Sequence, residues 1–365
     1  MQKYRILIVG AGIAGAAAGA FLGRSGHRVT VVERSAGVRS SGSPVDIRGE
    51  ALGVVRGLGL EAAVRAHDTG ARTIAFIGRD GRAFTTIEMR MDAADIEIPR
   101  TDLAAVLTTA ARDVAEVRYD DTFDTLSADA AGVDVRFASG AQERFDLVIG
   151  ADGQNSATRR ALWGDGGARA GVRRAPRLAI ATAPLPLRID DPSRIEMYNE
   201  PGRSLTVHPG GGRPGAAFIF RTDVAPVGRE AQIALLRDVY GGSGWRAAEF
   251  LAAVDDAPDL YFDRVRRVTA DSWSRGRVVL LGDAASSLTI LGEGSSMALL
   301  GAARLDAALR GAPDLATALA TYEARHRPAV ERAQSGAALG AAFLVPAGAV
   351  ALGIRNLLAR LVRRI

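Results

Sequence analysis

The chain has 365 residues, of which 48% are hydrophobic and 24% charged, so it is long enough for two domains with a sizeable buried core. It has no cysteine, which excludes disulfides, cysteine-ligated metals and thiol catalysis, and its four histidines show no metal-ligand spacing, so no metal site is expected. The formal charge of +5 comes from arginines spread along the chain, which argues against a nucleic-acid partner and favours an anionic small ligand.

The N-terminal segment predicts a dinucleotide site. The sequence RILIV (Arg5–Val9) is typical of a strand that is buried on both faces of a parallel sheet. Three glycines follow: Gly10 permits a tight turn, Gly12 lets the backbone approach a pyrophosphate, and Gly15 lets the next helix pack closely. Glu33 ends the second strand, where its carboxylate can accept hydrogen bonds from ribose hydroxyls and would repel a 2′-phosphate. The pattern therefore favours FAD or NAD over NADP.

Further along the chain, three segments contain residues that indicate contacts with the same cofactor. Arg100 stands just before a helical pattern, and the buried strand Leu147–Ile149 runs into a turn that contains Asp152. A third apolar strand ends at Asp283, and a helix that begins near Gly294 directs its dipole back into the intervening loop. Glycine-bearing turns after distant strands indicate one phosphate-bearing ligand that is contacted from several segments.

Together these motifs resemble the FAD-dependent monooxygenases of the aromatic-hydroxylase type (class A) over nearly the whole chain. The hallmarks of that family are a GxGxxG start, a mid-chain GADGxxSxxR motif and a late GD motif. They correspond here to Gly10, Gly12 and Gly15, to Gly150–Gly153 with Ser156 and Arg159, and to Gly282–Asp283. The resemblance implies an α/β fold in which a Rossmann-like FAD-binding domain of the para-hydroxybenzoate hydroxylase type is interleaved with an antiparallel-sheet substrate domain, followed by C-terminal helices.

The resemblance also implies roles for individual residues. Glu33 and Arg34 address the adenosine half of FAD, Arg100 the region near the flavin and ribityl chain, and Asp283 the ribityl chain and pyrophosphate. Asp152 is linked in the family to both FAD and NADPH. The glycine-rich turns complete the predicted FAD site with Gly10, Gly12, Ala14, Gly15, Gly292, Gly294 and Ser295.

The segment that begins at Arg39 is similar to the tetracycline-inactivating and polyketide-modifying monooxygenases. In those proteins an arginine seven residues before an aspartate contributes to NADPH binding, and the aspartate contacts FAD. The matching positions are Arg39 and Asp46, with a solvated loop arginine as the open alternative for Arg39. Arg48 follows in the same predicted strand and is a candidate substrate contact.

The late motif departs from the family pattern beyond its GD pair. Family members usually continue with a histidine and one or two prolines, whereas Ser286, Thr289 and Ile290 stand at those positions here. This change leaves a second hypothesis open, namely an FAD-dependent oxidase or dehydrogenase, or a flavin-assisted cyclase, that inserts no oxygen. A flavin-binding carrier without turnover is a third hypothesis.

Short alternating strands predict the antiparallel sheet of the substrate domain. A hairpin turns at Asp80 and Gly81, and residues 194–221 form three further strands. His208 at a strand end could polarise a ligand but is expected to be solvated, and alternation does not decide which sheet face meets the substrate. Candidate substrate contacts are Glu196, Phe218 and Phe220.

The predicted domain limits are discontinuous. The FAD-binding domain comprises residues 1–70, 99–168 and 269–335, the substrate domain residues 71–98 and 169–268, and the C-terminal helices residues 336–365.

The C-terminal region contains the uncharged run 336–354, which is about long enough to span a bilayer. The run is mostly alanine and glycine and contains Pro346, so a pair of docked helices is expected rather than an integral span. The tail RNLLARLVRRI is a basic amphipathic pattern, for which a packed terminal helix is favoured over a membrane or partner contact. No signal peptide is recognised, and a cytoplasmic monomer or homodimer is expected.

The family resemblance implies a mechanism in which NADPH or NADH reduces FAD and O2 adds to give a C4a-hydroperoxyflavin. One oxygen atom then passes to an aromatic or polycyclic, polyketide-like substrate. Because the cofactor carries the chemistry, no catalytic residue is predicted.

Overall fold

The computed structural model describes residues 2–37, 43–89, 92–164, 170–173, 177–184, 189–257, 260–265, 267–287 and 293–361. The strands are, in chain order, β1 (Arg5–Val9), β2 (Arg28–Glu33), β3 (Pro44–Ile47), β4 (Thr73–Ile77), β5 (Ala83–Glu88), β6 (Ile96–Pro99), β7 (Glu116–Tyr119), β8 (Phe123–Ala128), β9 (Val133–Phe137), β10 (Gln142–Phe145), β11 (Leu147–Gly150), β12 (Ala170–Arg173), β13 (Leu178–Pro184), β14 (Arg194–Glu200), β15 (Arg203–His208), β16 (Gly215–Arg221), β17 (Tyr261–Arg264), β18 (Arg267–Ala270), β19 (Ser274–Arg275) and β20 (Val278–Leu280). The helices are α1 (Ile13–Arg24), α2 (Glu50–Gly57), α3 (Glu61–Arg65), α4 (Arg100–Arg112), α5 (Ala157–Trp163), α6 (Arg229–Tyr240), α7 (Ala247–Asp256), α8 (Glu293–Gly311), α9 (Leu315–Leu344) and α10 (Ala349–Leu361), with short 3₁₀ turns at Gly210–Gly212 and Gly282–Ala284.

A six-stranded sheet carries all three glycine-bearing motifs. Its order is β19-β20-β11-β1-β2-β7, and every pair is parallel except β19 with β20. Ile6, Leu7 and Ile8 of β1 are fully buried, because helices cover one face and the three-stranded sheet β10-β9-β8 covers the other. The carboxyl ends of β1, β11 and β20 are adjacent in a parallel sheet, so the turns that follow these strands meet at one edge.

Helix α1 is held against this sheet by small side chains. Its residues from Ile13 to Ala20 are all buried, and it packs on α8 and α4. Alanine and glycine at these positions allow the helix axes to approach closely, which brings the amino ends of α1 and α8 to the same edge of the sheet.

A second, seven-stranded sheet has the order β17-β13-β16-β15-β14-β4-β5. Its pairs are antiparallel except for β14 with β4, which is parallel. Helices α6 and α7 cover one face, where Phe218 and Phe220 pack on Tyr240. The opposite face carries Tyr261 and turns toward the first sheet. The two sheets thus enclose the region where the glycine-bearing turns converge.

The domain limits predicted from the sequence remain a prediction, although two of them fall inside strands. The limit at residues 98/99 cuts β6, which pairs with β3 rather than with the seven-stranded sheet, and the limit at 268/269 cuts β18. The run 336–354 forms the end of α9, a turn and the start of α10.

The turn between α9 and α10 is tied to the seven-stranded sheet. The Val345 carbonyl accepts hydrogen bonds from Arg221, and the Pro346 carbonyl accepts one from the Gly202 amide at 2.8 Å. Among the described residues no single helix is long and apolar enough to span a membrane. Helices α9 and α10 together have the length and composition of a span, but they are bent by 98° relative to each other.

Candidate functional site

The three glycines after β1 divide into two that serve packing and one that faces open space. A Cβ on Gly10 would lie 2.6 Å from the Ala151 carbonyl oxygen, and Gly10 has a φ of +100°. A Cβ on Gly15 would collide with the Gly10 carbonyl oxygen. A Cβ on Gly12 would meet no protein atom within 4 Å, although Gly12 begins α1 without a side-chain cap. The position therefore leaves room for a ligand at the unpaired N–H groups of the helix.

Glu33 lies beside this turn, at the end of β2. Its two carboxylate oxygens accept hydrogen bonds from the Ala11 and Ser35 amides, each at 3.0 Å. Arg34 follows and is exposed to solvent. Both side chains are thus at the rim of the glycine turn, where an adenosine ribose would lie beside a bound pyrophosphate.

The mid-chain motif uses its aspartate to cap a helix. One Asp152 oxygen accepts hydrogen bonds from the Thr158 amide at 2.9 Å and the Thr158 hydroxyl at 3.1 Å, and the other accepts one from the Ser156 hydroxyl. Ser156 in turn caps α5 by accepting from the Arg159 amide. Asp152 therefore stabilises the start of α5 in this structure, and a direct contact with FAD or NADPH remains a prediction.

Arg159 joins this motif to the late one. Its guanidinium donates to the Ala284 carbonyl and to the Gln154 carbonyl, each at 2.7 Å, while the residue is 5% exposed. Burial lowers the pKa of Arg159, and the Asp152 carboxylate opposes that shift. A buried cation that satisfies two carbonyls fixes the relative positions of the turns after β11 and β20.

The late motif packs directly on the glycine turn. A Cβ on Gly282 would lie 2.7 Å from the Ala14 side chain, so the chain at Gly282 lies against the first turn of α1. Burial raises the pKa of Asp283, the Arg100 guanidinium opposes this and the Asp263 carboxylate adds to it. Asp283 and Arg100 are thus electrostatically coupled, and their contacts with FAD stay a prediction.

The amino end of α8 presents unpaired polar groups to the same region. Ser295 is 1% exposed, and its hydroxyl has no hydrogen-bond partner among the described residues. Gly294 precedes it in the first turn of the helix, and the Ser296 hydroxyl donates to the Asp46 carbonyl at 2.8 Å. An orphaned hydroxyl at a helix N-terminus fits a ligand with hydrogen-bond acceptors.

Asp46 brings a second group of charged side chains to the site. Desolvation raises the pKa of Asp46 to about 6, and Glu97 and Asp95 add to this while Arg48 opposes it. Arg48 forms an ion pair with Asp46 at 2.9 Å. Asp46 and Glu97 are directly paired across β3 and β6, so both carboxyl groups lie on one face.

The expectation that His208 is solvated is wrong. Its side chain is 15% exposed, and its Nε2 lies 3.1 Å from a carboxylate oxygen of Glu97, which also accepts from the Thr69 hydroxyl. The Gly210 amide donates to His208 Nδ1 at 2.9 Å, so Nε2 carries the proton toward Glu97. Sequence reasoning missed this pair because 111 residues separate its members.

The three substrate candidates on the seven-stranded sheet share the face that packs on α6 and α7, which does not support the predicted substrate contacts. Phe218 and Phe220 are fully buried, with ring centroids 5.1 and 5.8 Å from Tyr240 of α6. Glu196 shares their face and is 3.3 Å from Arg194. Side chains alternate along a strand, so a residue packed on α6 cannot also face the FAD motifs.

The opposite face of this sheet meets the FAD motifs. Tyr261, Thr182, Ala217 and Thr206 are cross-strand neighbours and share that face. The Tyr261 hydroxyl donates at 3.0 Å to Asp263, which also accepts from the Gln154 side chain of the mid-chain motif. Thr206 is 9% exposed, and its hydroxyl has no partner among the described residues.

Some predicted positions fall outside the described residues. These are Arg39, Gly292, Thr289 and Ile290. Ser286 is buried, with 9% of its surface exposed.

The convergence of three glycine-bearing turns, the uncapped amino end of α1 and a facing antiparallel sheet defines an FAD-binding flavoprotein fold. The family model "FAD binding domain" matches residues 3–337, so the chain belongs to that family. The site fits FAD, because open space at Gly12 and the orphaned Ser295 hydroxyl both lie where a dinucleotide would contact the backbone. The protein is an FAD-dependent monooxygenase of the class A type.

The chain is similar over most of its length to known proteins and to solved structures. An uncharacterized protein of Mycobacterium tuberculosis (strain CDC 1551 / Oshkosh) is 37% identical over 349 residues, which cover 90% of this chain and 91% of the relative. A flavin-dependent monooxygenase from an unknown prokaryotic organism is 31% identical over 91% of this chain and 88% of its own length. The crystal structure of the tetracycline destructase Tet(55) has a TM-score of 0.85 at 29% identity, and the match covers 98% of this chain and 95% of that one.

Proposed function

We propose that this protein is an NADPH- or NADH-consuming monooxygenase that inserts one oxygen atom from O2 into an aromatic or polycyclic, polyketide-like substrate. The main support is the contact between the seven-stranded sheet and the FAD motifs, through Tyr261, Asp263 and Gln154. That contact encloses a site between FAD and a sheet face rather than leaving the cofactor open to solvent. Similarity to a tetracycline destructase supports a polycyclic substrate.

We assign the FAD contacts from the family resemblance, and the geometry of the turns supports this assignment. The α1 amides next to Gly12 would bind the pyrophosphate, and Glu33 would accept from the adenosine ribose. Asp283 and Arg100 would hold the ribityl chain. The Ser295 hydroxyl and the α8 amides would donate to the pyrimidine edge of the flavin, where the helix dipole favours negative charge.

The roles of the described chain are to bind, orient and desolvate, while FAD supplies the activation of O2 when it is bound. The face that carries Thr182, Thr206 and Tyr261 would form the substrate wall, with apolar atoms for a polycycle and hydroxyls for its oxygens. Asp46, Glu97 and His208 would hold or accept a proton beside that wall. Arg39 is proposed as the NADPH contact on its sequence position alone.

The test is turnover of the purified yellow protein with NADPH or NADH under isotopically labelled O2, with a panel of phenolic and polycyclic compounds. We expect substrate-stimulated oxidation of the nicotinamide and a product that carries one labelled oxygen atom. The Gly12→Val variant, which would fill the space for the pyrophosphate, controls for reactions of free FAD.

The outcome separates the competing functions. Flavin reduction and product formation without the label would contradict oxygen insertion and favour the oxidase, dehydrogenase or cyclase hypothesis. No flavin reduction by either nicotinamide with any compound would contradict the proposal as a whole.

A further inference from the structure

Helix α10 has its apolar side facing outward. Five of its six large apolar side chains are between 54% and 77% exposed, and these five recur at the spacing i, i+4, i+7, i+8 and i+11, which places them on one face of a helix. These residues are Val350, Ile354, Leu357, Leu358 and Leu361. A surface helix of a globular protein normally buries such a face, so the arrangement is reversed.

The buried face of α10 consists of Arg355 and Ala359, and the contacts of Arg355 fix the orientation of the helix. Arg355 is 6% exposed and donates to the Asn199 side chain at 2.6 Å. Its guanidinium also stacks over Phe76, 4.5 Å from the ring centroid, and lies 5.9 Å from that of Phe343. Rotation of the helix to bury its leucines would break these contacts and expose the rings. The outward apolar face is thus built into the packing.

The C-terminal segment that contains α10 carries only positively charged side chains. From Ser335 to Ile365 the sequence has four arginines and no aspartate or glutamate. Arg360 lies on the described part of α10, with its guanidinium 5.3 Å from the Phe84 ring centroid. An apolar helix face in a region that carries only positive charge complements a surface that is both apolar and anionic.

We propose that α10 docks this protein on the surface of an anionic lipid bilayer, with its outward apolar side chains in the interfacial layer and the net positive charge of this part of the chain attracted to the lipid phosphates. A second copy of the chain is a poorer occupant, because a face that meets itself would bring like charges together, whereas an anionic bilayer neutralises them. The helix lies parallel to the membrane plane and does not span it. The outward face of α10 carries none of the residues proposed to contact FAD or the substrate, so the proposal does not depend on the substrate.

The test is co-sedimentation of the FAD-loaded protein with vesicles of phosphatidylcholine alone or with phosphatidylglycerol added. We expect binding to the anionic vesicles that is about tenfold or more stronger than to the neutral ones and that weakens as salt is raised. The double variant Leu357→Ser/Leu361→Ser should lose about tenfold or more of that binding. Because both side chains are mostly exposed, its FAD absorbance and melting temperature should match the wild type.

The chain offers a matched control for this experiment. Val224 and Val227 are 54% and 90% exposed on a loop of the seven-stranded-sheet region, so Val224→Ser/Val227→Ser removes exposed apolar surface elsewhere and should bind vesicles like the wild type. Equal binding by the α10 variant and the wild type would overturn the proposal. A solution dimer that the α10 variant abolishes, without vesicle binding by the wild type, would overturn it in favour of a second copy.

Discussion

At the scale of single residues, the motif that names an FAD family also holds the fold together. Both carboxylate oxygens of Asp152 accept hydrogen bonds at the start of α5. The Arg159 guanidinium donates hydrogen bonds to the carbonyls of Gln154 and Ala284. Each buried carbonyl without its donor would cost about 1–3 kcal/mol, so a change at Arg159 would loosen the turn that carries Asp283. We therefore expect the mid-chain motif to affect FAD binding through the position of the late motif.

Asp46 gives a prediction on pH. Its pKa is raised in the folded state to about 6, so the folded protein retains this proton at pH values where the unfolded chain has lost it. Stability should therefore fall as pH rises from about 4 to about 6, by up to about 3 kcal/mol from this group. Asp46→Asn does not titrate, so the free energy of unfolding of the variant minus that of the wild type should increase over this window and level off above it. Urea unfolding at several pH values measures the difference.

A control for this experiment is Asp80→Asn, which removes an exposed carboxylate on the β4–β5 turn. Its difference from the wild type should vary less over the same window. A flat difference for Asp46→Asn would show that the carboxyl is not held in its neutral form by burial.

At the scale of elements, we expect the two faces of the seven-stranded sheet to have different roles, one in stability and the other in substrate contact. The face that carries Phe218 packs on α6 and α7, and the face that carries Thr206 turns toward the FAD motifs. Apolar residues occur on both faces, as Phe218 and Ile219 of β16 show, so the sequence alone does not mark the face that meets the FAD motifs. The role of each side chain therefore depends on the layer that packs against its face of the sheet.

This separation predicts opposite outcomes for two variants. Phe218→Leu should lower the free energy of unfolding by about 1–2 kcal/mol through lost packing on Tyr240, and should leave kcat/KM per bound FAD unchanged. Thr206→Val should change stability by less than about 1 kcal/mol, because its hydroxyl has no protein partner, but should raise the substrate KM by about two- to tenfold. Urea unfolding and steady-state kinetics on both variants provide the comparison. A KM effect at Phe218 with none at Thr206 would reverse the assignment of the faces.

At the scale of the whole molecule, the sequence predicts what is local and misses what depends on distant packing. The turns at Gly10, Asp152 and Asp283 are predictable, because each follows a buried strand and adjacent parallel strands must end at one edge. The contact between Glu97 and His208 has no local signal, since it depends on how β6 meets the end of β15. The outward apolar face of α10 is equally hidden, because periodicity marks an amphipathic helix without showing which side is buried.

Stability of the whole chain should be coupled to FAD, because the proposed contacts come from β1, β11 and β20, which are far apart in sequence. Binding to the folded state alone adds about 2.7 kcal/mol when FAD is at a hundredfold excess over its Kd. Gly12→Ala should unfold without FAD within about 1 kcal/mol of the wild type, since a Cβ there meets no protein atom and φ is −70°. The variant should nevertheless lose the increase in the free energy of unfolding that FAD gives the wild type, because the methyl group would occupy the position of the pyrophosphate.

Gly15→Ala is the matched variant three residues away, and it should behave in the opposite way. A Cβ at Gly15 collides with the Gly10 carbonyl oxygen, so the variant should be destabilised with and without FAD. Urea unfolding of both variants over a series of FAD concentrations separates the two roles. If Gly12→Ala kept the full gain from FAD, the open space at Gly12 would not be the pyrophosphate site, and the alignment of the cofactor along the carboxyl edge of the sheet would have to be revised.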